Sequence, residues 1–299
     1  MDAVLLLTVT GLSVGALYFL LASGLSLVFG LMHVLSFAHG AYLSVCAFAG
    51  WLVLRGADFD AGAPTWRYAA ALVVATAAGA GLAYLTEVFL IRPLYGRDQL
   101  DQLLVTMGLG FILIAVLAGV WGPDEQAVPL PRWVRDTTEL GGIAIPNDRF
   151  LLIALAALVF VLIQLFLRRT RHGLIVRAGV QNRDMVRALG IDVRRSFTLV
   201  FVLGGAAAGL GGALAATFIR AITPHIGDSF LLYAFIVLVV GGLGSLSGAL
   251  VAAVAIGVPQ QFANYYVNPG AGDVLAVALM AAMLLFRPQG LFGQKERVV

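Results

Sequence analysis

Long apolar segments alternate with short charged or proline- and glycine-rich breaks along the whole chain. The apolar runs fall at residues 3–21, 23–31, 36–54, 68–91, 103–121, 150–167, 197–219, 230–257 and 272–286. About 20 apolar residues of helix cross a hydrocarbon core, and a helix satisfies its backbone polar groups internally, as a span in lipid requires. The pattern therefore predicts an all-α, polytopic membrane bundle of about eight transmembrane segments.

Two regions depart from the pattern of simple spans. The run at 23–31 is too short to cross a membrane on its own. The run at 230–257 has a cluster of glycines near its middle, at Gly241, Gly242, Gly244 and Gly248. Transporters use discontinuous helices where irregular backbone lines a cavity, so we expect broken or re-entrant segments near residues 24–40 and 230–257. The slight similarity between the two halves leaves an internal repeat open.

Composition excludes several classes of protein. Of the 299 residues, 61% are hydrophobic and 12% are charged, against about a quarter charged in soluble proteins. Cys46 is the only cysteine, which excludes a disulfide scaffold. Because the only lysine is Lys295, the chain has no phosphate-binding loop of the G-x-x-x-x-G-K-[ST] type. We expect a membrane protein that is not an enzyme, binds no cofactor itself and has no nucleic acid as a partner.

The arginines are concentrated in one break between apolar runs. Residues 168–195 hold eight arginines and two aspartates, a net charge of +6, and basic loops tend to stay on the cytoplasmic side. Residues 121–149 are instead rich in acidic residues and proline. We therefore expect residues 168–195 and the tail after Arg287 in the cytoplasm, and residues 121–149 and the N-terminus outside.

Few polar side chains in the apolar runs are available to a substrate that crosses the membrane. Glycine-containing breaks supply backbone groups instead, and an ionisable side chain in a membrane segment indicates a function by default. The predicted substrate path consists of Ser36, His39, Gly40, Gly241, Gly242, Gly244 and Ser245. A neutral His39 that bonds a backbone carbonyl at a helix break is the structural alternative. No cysteine or carboxylate lies near His33 and His39, which disfavours a metal site.

A short amphipathic helix is predicted inside the arginine-rich break. Between residues 180 and 189, the side chains of Met185, Val186 and Leu189 share one face, and Gly190 ends the helix. Such a helix either lies on lipid or docks into the groove of a soluble partner. The residues alone leave both alternatives open.

Three motifs together resemble one known family. They are Ala178, Asn182, Leu189, Gly190 and Ile191 in the arginine-rich break, Gly24-Leu-Ser-Leu-Val-Phe-Gly30 followed by Phe37-Ala-His-Gly40, and Gly241-Gly-Leu-Gly-Ser245 followed by Gly248. In this order they resemble the LivH-type permeases, which are membrane subunits of branched-chain amino-acid ABC importers. One departure is Ser36, where the family usually has asparagine.

The resemblance implies one membrane-spanning permease domain over residues 1–299, with a cytoplasmic coupling loop at 168–196, in the bacterial plasma membrane. The implied partners are a second, LivM-like permease, two cytoplasmic ATPases that hold ATP and Mg, and an extracytoplasmic substrate-binding protein. Contacts with an ATPase are implied for Asn182, Arg183, Met185, Val186, Leu189 and Gly190. Branched-chain amino acids are the implied cargo.

Two kinds of alternative stand beside this interpretation. Urea, short amides or aromatic acids are alternative cargoes within the same importer class. An ion-coupled secondary transporter is a less favoured class, because it would need a carboxylate at mid-membrane depth. The sequence instead places Glu87 near the end of an apolar run, where we expect it to be solvated or paired with Arg92.

A membrane-impermeant thiol reagent tests the predicted orientation. In intact cells, a Thr137→Cys variant should react because residue 137 is expected outside. An Arg183→Cys variant should react only after the membrane has been opened, because the positively charged loop is expected in the cytoplasm. The opposite pattern of labelling contradicts the orientation.

Overall fold

The computed structural model describes residues 2–32, 36–58, 62–140, 142–181 and 194–293. The helices within these ranges, in chain order, are α1 Asp2–Met32, α2 Ala38–Leu54, α3 Thr65–Thr86, α4 Gln99–Trp121, α5 Arg132–Arg135, α6 Asn147–Arg169, α7 Arg171–Gln181, α8 Arg194–Ile219, α9 Ile226–Gly241, α10 Leu246–Tyr266 and α11 Ala271–Phe286. A π-helical turn, Glu87–Ile91, and a 3-10 turn, Arg92–Leu94, extend α3.

Short strands join the loops at one end of the bundle. The strands are β1 Gln126–Ala127, β2 Thr137–Leu140, β3 Ile143–Pro146 and β4 Ala221–Ile222, and β1 pairs antiparallel with β4 and β2 with β3. The Trp51 indole N–H donates to the Ala127 carbonyl oxygen at 3.0 Å, which ties α2 to β1. We name this the strand end. The opposite end is formed by α7, by the first turn of α8 and by residues 87–98, which we name the α3–α4 turn. We name this opposite end the arginine end.

Six helical segments in the described ranges are long and apolar enough to cross a membrane. They are α1, α3 with its π-helical and 3-10 turns, α4, α6, α8 and α10. Three further apolar helices, α2, α9 and α11, are shorter. The predicted all-helical, multi-pass architecture is therefore confirmed, and the expected spans, about eight, correspond to six long segments and three shorter ones.

The first predicted break begins later in the chain than expected. The runs at 3–21 and 23–31 form one uninterrupted helix, α1, which reaches Met32, and α2 starts at Ala38. The prediction of a broken segment is therefore wrong for residues 24–32. The reason is that Gly24 serves a close contact between helices, because a Cβ atom there would lie 2.7 Å from the carbonyl oxygen of Gly204 in α8.

The second predicted break is present and is shorter than the predicted region. α9 ends at Gly241, and α10 starts at Leu246. Between them, Gly242 and Gly244 have φ angles of 98° and 81°. Glycine adopts such left-handed conformations without the steric penalty of a Cβ atom, so the irregular backbone is confined to residues 242–245.

α1 and α8 form the centre of the bundle. In their most apolar stretches 61% and 72% of the residues are buried, against 28%, 17% and 22% in α3, α4 and α6. The outer helices expose large apolar side chains such as Leu104, Phe111 and Leu162. A contiguous apolar surface of this kind marks contact with a membrane or another protein, which agrees with a bundle embedded in lipid.

Glycines bring α3 and α8 into backbone contact. A Cβ atom on Gly79 of α3 would collide with the backbone of Gly205 and Gly209 in α8. A Cβ atom on Gly209 would in turn collide with the carbonyl group of Ala75. Because helices in lipid associate through van der Waals packing of small residues, this contact fixes α3 against the centre of the bundle.

Gly79 and Gly81 provide a matched pair for a stability test. The surroundings of Gly81 are open within 4 Å, unlike those of Gly79. Gly79→Ala should lower the free energy of unfolding by about 1–3 kcal/mol through overpacking. Gly81→Ala should leave it unchanged or slightly raised, because alanine is the better helix former. Thermal unfolding in detergent measures both variants, and equal melting temperatures would contradict the assigned contact.

Candidate functional site

The first break brings Ser36, His39 and Gly40 together inside the bundle. Ser36 and His39 are fully buried, and the His39 amide N–H donates to the Ser36 carbonyl oxygen at 3.5 Å. α4 supports the break from one side, since the Phe37 amide N–H donates to the hydroxyl of Thr106 at 3.2 Å. Thr106 is itself fully buried within α4, so the break lies in the interior of the bundle.

The imidazole of His39 lies among aromatic rings. Its centroid is 5.2 Å from that of Tyr42 and 5.9 Å from that of Phe201. Neither imidazole nitrogen, nor the hydroxyl of Ser36, has a hydrogen-bond partner among the described residues. A buried polar group left without a partner costs about 1–3 kcal/mol. Both side chains are therefore suited to bind a water molecule or a polar group of a substrate.

The chemistry available at this break is hydrogen bonding. In the described ranges the His39 ring makes no bond to a backbone carbonyl, which was the structural alternative for this residue. His33 lies outside the described residues. No three side chains of histidine, cysteine, aspartate or glutamate in the described ranges could together hold a metal ion.

Gly40 lies where α2 meets the first turn of α9. A Cβ atom on Gly40 would lie 3.0 Å from the carbonyl oxygen of Gly227. The Gly227 amide N–H donates to the hydroxyl of Ser44 at 3.0 Å. The rings of Phe37 and Phe235, with centroids 4.9 Å apart, continue this contact along α9. α9 therefore forms one wall of the first break.

The second break contains the other predicted path residues and is covered by the C-terminal tail. Leu291 and Phe292 donate their amide N–H groups to the carbonyl oxygens of Val240 and Gly241, at 2.9 and 3.1 Å. A Cβ atom on Gly242 would lie 2.5 Å from the backbone nitrogen of Gly293. A larger residue at Gly242 would therefore disturb the local fold whatever its effect on transport.

The side chain of Ser245 is engaged in local structure. Its hydroxyl oxygen accepts a hydrogen bond from the Gly248 amide N–H at 3.1 Å. This bond caps the N-terminus of α10, which begins at Leu246. In this structure Ser245 therefore uses its hydroxyl as a helix cap.

Gly40 and Gly241 lie at opposite ends of α9. Gly40 contacts the first turn of α9, at Gly227, whereas Gly241 is the last residue of that helix. A helix of 16 residues separates these two positions by about 20 Å, while Phe37 packs farther along the helix, against Phe235. Ser36, His39 and Gly40 thus form one group of predicted path residues, and residues 241–245 form another.

The predicted ATPase-coupling residues fall outside the described part of the chain. They are Asn182, Arg183, Met185, Val186, Leu189 and Gly190. The structure does place the two flanking helices side by side, because Nδ1 of His172 in α7 is 3.4 Å from the hydroxyl of Ser196 in α8. α7, which ends at Gln181, and α8, which begins at Arg194, therefore meet at the arginine end.

Sequence reasoning underestimated Glu87. Its side chain is fully buried and pairs with Arg92, with 3.0 Å between Oε2 and Nη2. It also accepts hydrogen bonds from Tyr95 and Thr198. The pairing with arginine was one of the two expectations, but the bond to Thr198 spans more than a hundred residues of chain and left no local signal. The available signal was a carboxylate inside an apolar run, close to an arginine.

A bundle of several spans around a polar break inside the membrane is typical of a membrane transport subunit. The model of the family described as branched-chain amino acid transport system / permease component matches residues 7–286, and the chain belongs to this family. It is a multi-pass permease component of a branched-chain amino-acid ABC transport system and is not itself catalytic. In such systems ATP is hydrolysed by separate ATPase subunits. The resemblance drawn from the three motifs is confirmed.

Individual relatives match over nearly the whole chain. The high-affinity branched-chain amino acid transport permease BraD of Pseudomonas aeruginosa is 30% identical over 296 residues, 96% of this chain and 95% of BraD. LivH of Escherichia coli K12, a permease of the same description, is 27% identical over 96% of this chain and 94% of its own length. LivM, another permease protein of the same description from that organism, is 27% identical over 92% of this chain and 67% of LivM.

Proposed function

We propose that this chain forms one half of the membrane passage of an importer for branched-chain amino acids, with a second, LivM-like permease as the other half. Two cytoplasmic ATPases that hold ATP and Mg drive the cycle, and an extracytoplasmic binding protein delivers the substrate. The match to BraD over 96% of this chain, a permease named for this transport, is the observation that carries the proposal. The similarity to both LivH and LivM suits two permeases of one fold arranged as a pseudo-symmetric pair.

Residues 168–196 are assigned as the cytoplasmic coupling loop of the single permease domain. Their net positive charge supports this side of the membrane, and α7 and α8 place both flanks of the loop at one end of the bundle. Met185, Val186 and Leu189 form the face that docks into an ATPase groove, with Asn182, Arg183 and Gly190 beside it. The tail after Arg287 lies on the same side, and the N-terminus lies outside.

The substrate path passes the first break. Ser36 and His39 support this assignment, because they are buried polar side chains without partners among the described residues. Weak, neutral hydrogen bonds suit a passage that has to release its cargo. The backbone of residues 241–245 contributes to the path at the far end of α9, and tight selection is left to the binding protein.

Competition for uptake tests the proposed cargo. The assembled importer, with its partner permease, ATPases and binding protein, is reconstituted into liposomes that contain ATP. Uptake of labelled leucine should require ATP and should be suppressed by excess unlabelled isoleucine or valine. Excess urea, a short amide or an aromatic acid should leave it unchanged. Suppression by one of these compounds and not by valine contradicts the proposed cargo.

His39→Phe tests the path while keeping an aromatic ring in the same place. Loss of the polar ring removes a hydrogen-bond partner of the cargo, and one such bond corresponds to roughly a five- to tenfold loss of leucine uptake. Co-purification with the ATPases should be unchanged. The control is Tyr68→Phe, which removes a buried bond to Thr217, 2.9 Å long, outside the first break. Normal uptake by His39→Phe, or equal losses in both variants, contradicts the path.

A further inference from the structure

Glu87 has an unusual position at the arginine end of α3. The residue opens the π-helical turn Glu87–Ile91, and its side chain is fully buried. π-Helical turns inside α-helices are rare and often occur at functional sites. The carboxylate is paired with Arg92, whose Nη2 and Nε lie 3.0 Å from Oε2 and 3.3 Å from Oε1. The Tyr95 hydroxyl donates to Oε1 at 2.5 Å.

The same carboxylate reaches across to α8. The hydroxyl of Thr198 lies 3.0 Å from Oε2 of Glu87, and Nη2 of Arg92 donates to that hydroxyl at 3.0 Å. The ring of Tyr95 packs edge-on against Phe197, with 5.3 Å between centroids. The α3–α4 turn is therefore joined to the first turn of α8 by a charged network and by an aromatic contact.

Thr198 lies close in the chain to the proposed coupling loop. α8 begins at Arg194, directly after residues 182–193, which include the proposed docking face. Four residues of helix, about 6 Å, separate that start from Thr198. A displacement of the coupling loop therefore reaches the network within the first turns of α8.

The network also continues toward the substrate path. Nε2 of Gln102 in α4 donates to the carbonyl oxygen of Leu94 in the α3–α4 turn, at 2.9 Å. One helical turn further, Thr106 accepts the hydrogen bond from the amide of Phe37 at the first break. Hydrogen bonds, joined by short stretches of backbone, thus connect the start of α8 through the α3–α4 turn to the break that holds His39.

Thr198 has two acceptors for its single hydroxyl hydrogen. One is Oε2 of Glu87, and the other is the Arg194 carbonyl oxygen at 3.1 Å. When the bond is made within α8, only the bond from Arg92 joins the helix to the network, and when it is made to Glu87, both bonds do. Hydrogen bonds to a charged group are the stronger kind, so the bond to Glu87 is favoured.

We propose that Glu87 is a positioning residue for energy coupling, which links the first turn of α8 to the α3–α4 turn through Thr198 and Arg92. ATPase-driven movement of the coupling loop then moves α4 and the first break together with α8. The proposal rests on the proposed function, because it needs residues 182–193 to contact the ATPases. Glu87, Arg92 and Thr198 are then the residues that connect the coupling loop to the substrate path.

The test measures ATP hydrolysed per leucine imported by the fully assembled importer in liposomes. Thr198→Val removes the hydroxyl and keeps the branched shape, while Thr198→Ser keeps the hydroxyl. Thr198→Val should raise the ratio by about tenfold, since the lost bond is to a charged group, and Thr198→Ser should stay within about twofold of the wild type. Glu87→Gln, which removes the charge at nearly constant shape, should raise the ratio as well.

Two further variants distinguish failure of the Glu87 proposal from failure of the coupling-loop assignment. Thr217→Val removes a buried hydroxyl that bonds Tyr68 at the strand end of the same helix, and it should leave the ratio unchanged. Val186→Asp, in the proposed docking face, should raise the ratio. If Val186→Asp has no effect, the coupling loop assignment fails in its own right.

Several results overturn the proposed role of Glu87. An unchanged ratio in Thr198→Val is one of them, and equal changes in Thr198→Val and Thr217→Val are another. A third is failure of Thr198→Val and Glu87→Gln to assemble while Thr198→Ser assembles normally, which would show that the network serves folding alone. A wild-type importer that takes up no leucine contradicts the proposed cargo, and the ratio is then measured with the compound that is taken up.

Discussion

Backbone contact between α8 and its neighbours is the interaction on which the rest of the structure depends. Gly204 meets Gly24 of α1, and the following turns of α8 meet α3. Lipid offers associating helices little hydrophobic gain, so their attraction comes from dispersion between closely spaced atoms. The contact holds α8 in the centre as one rigid rod. The same rod carries Phe201 against the first break and Thr198 against the α3–α4 turn.

The membrane class and the helical fold follow from the sequence, because six apolar runs with few charged residues are long enough to cross lipid. The structural role of each glycine is harder to predict from the sequence than the spans are. Gly242 marks a true break, with positive φ, whereas Gly24 lies within a continuous helix and admits a neighbouring backbone. A glycine in a membrane helix permits either outcome. Only the element packed against it decides between them, and that element is remote in the chain.

The candidate site could be predicted only in part, because its residues come from elements that are remote from one another in the chain. His39 stands out as an ionisable residue in apolar sequence. However, Phe201 beside its ring and Thr106, which bonds the amide of Phe37, belong to α8 and α4 and give no local signal. The distance between Gly40 and Gly241 depends on the direction of α9, which contacts Gly40 with its first turn and ends at Gly241. The bond between Glu87 and Thr198 likewise exists only because α3 and α8 are packed together.

α2 and α9 begin beside each other, with Gly40 and Gly227 in their first turns. The N-terminus of a helix carries about half a positive elementary charge from its aligned peptide dipoles, and a carboxylate in the first turn offsets that charge. The first turn of α9 has such a carboxylate, Asp228, which lies 2.9 Å from Nδ1 of His225, whereas the first turn of α2 has no acidic residue. The two neighbouring helix starts therefore differ in electrostatic balance: the dipole of α9 is compensated by its own side chain, and that of α2 is not.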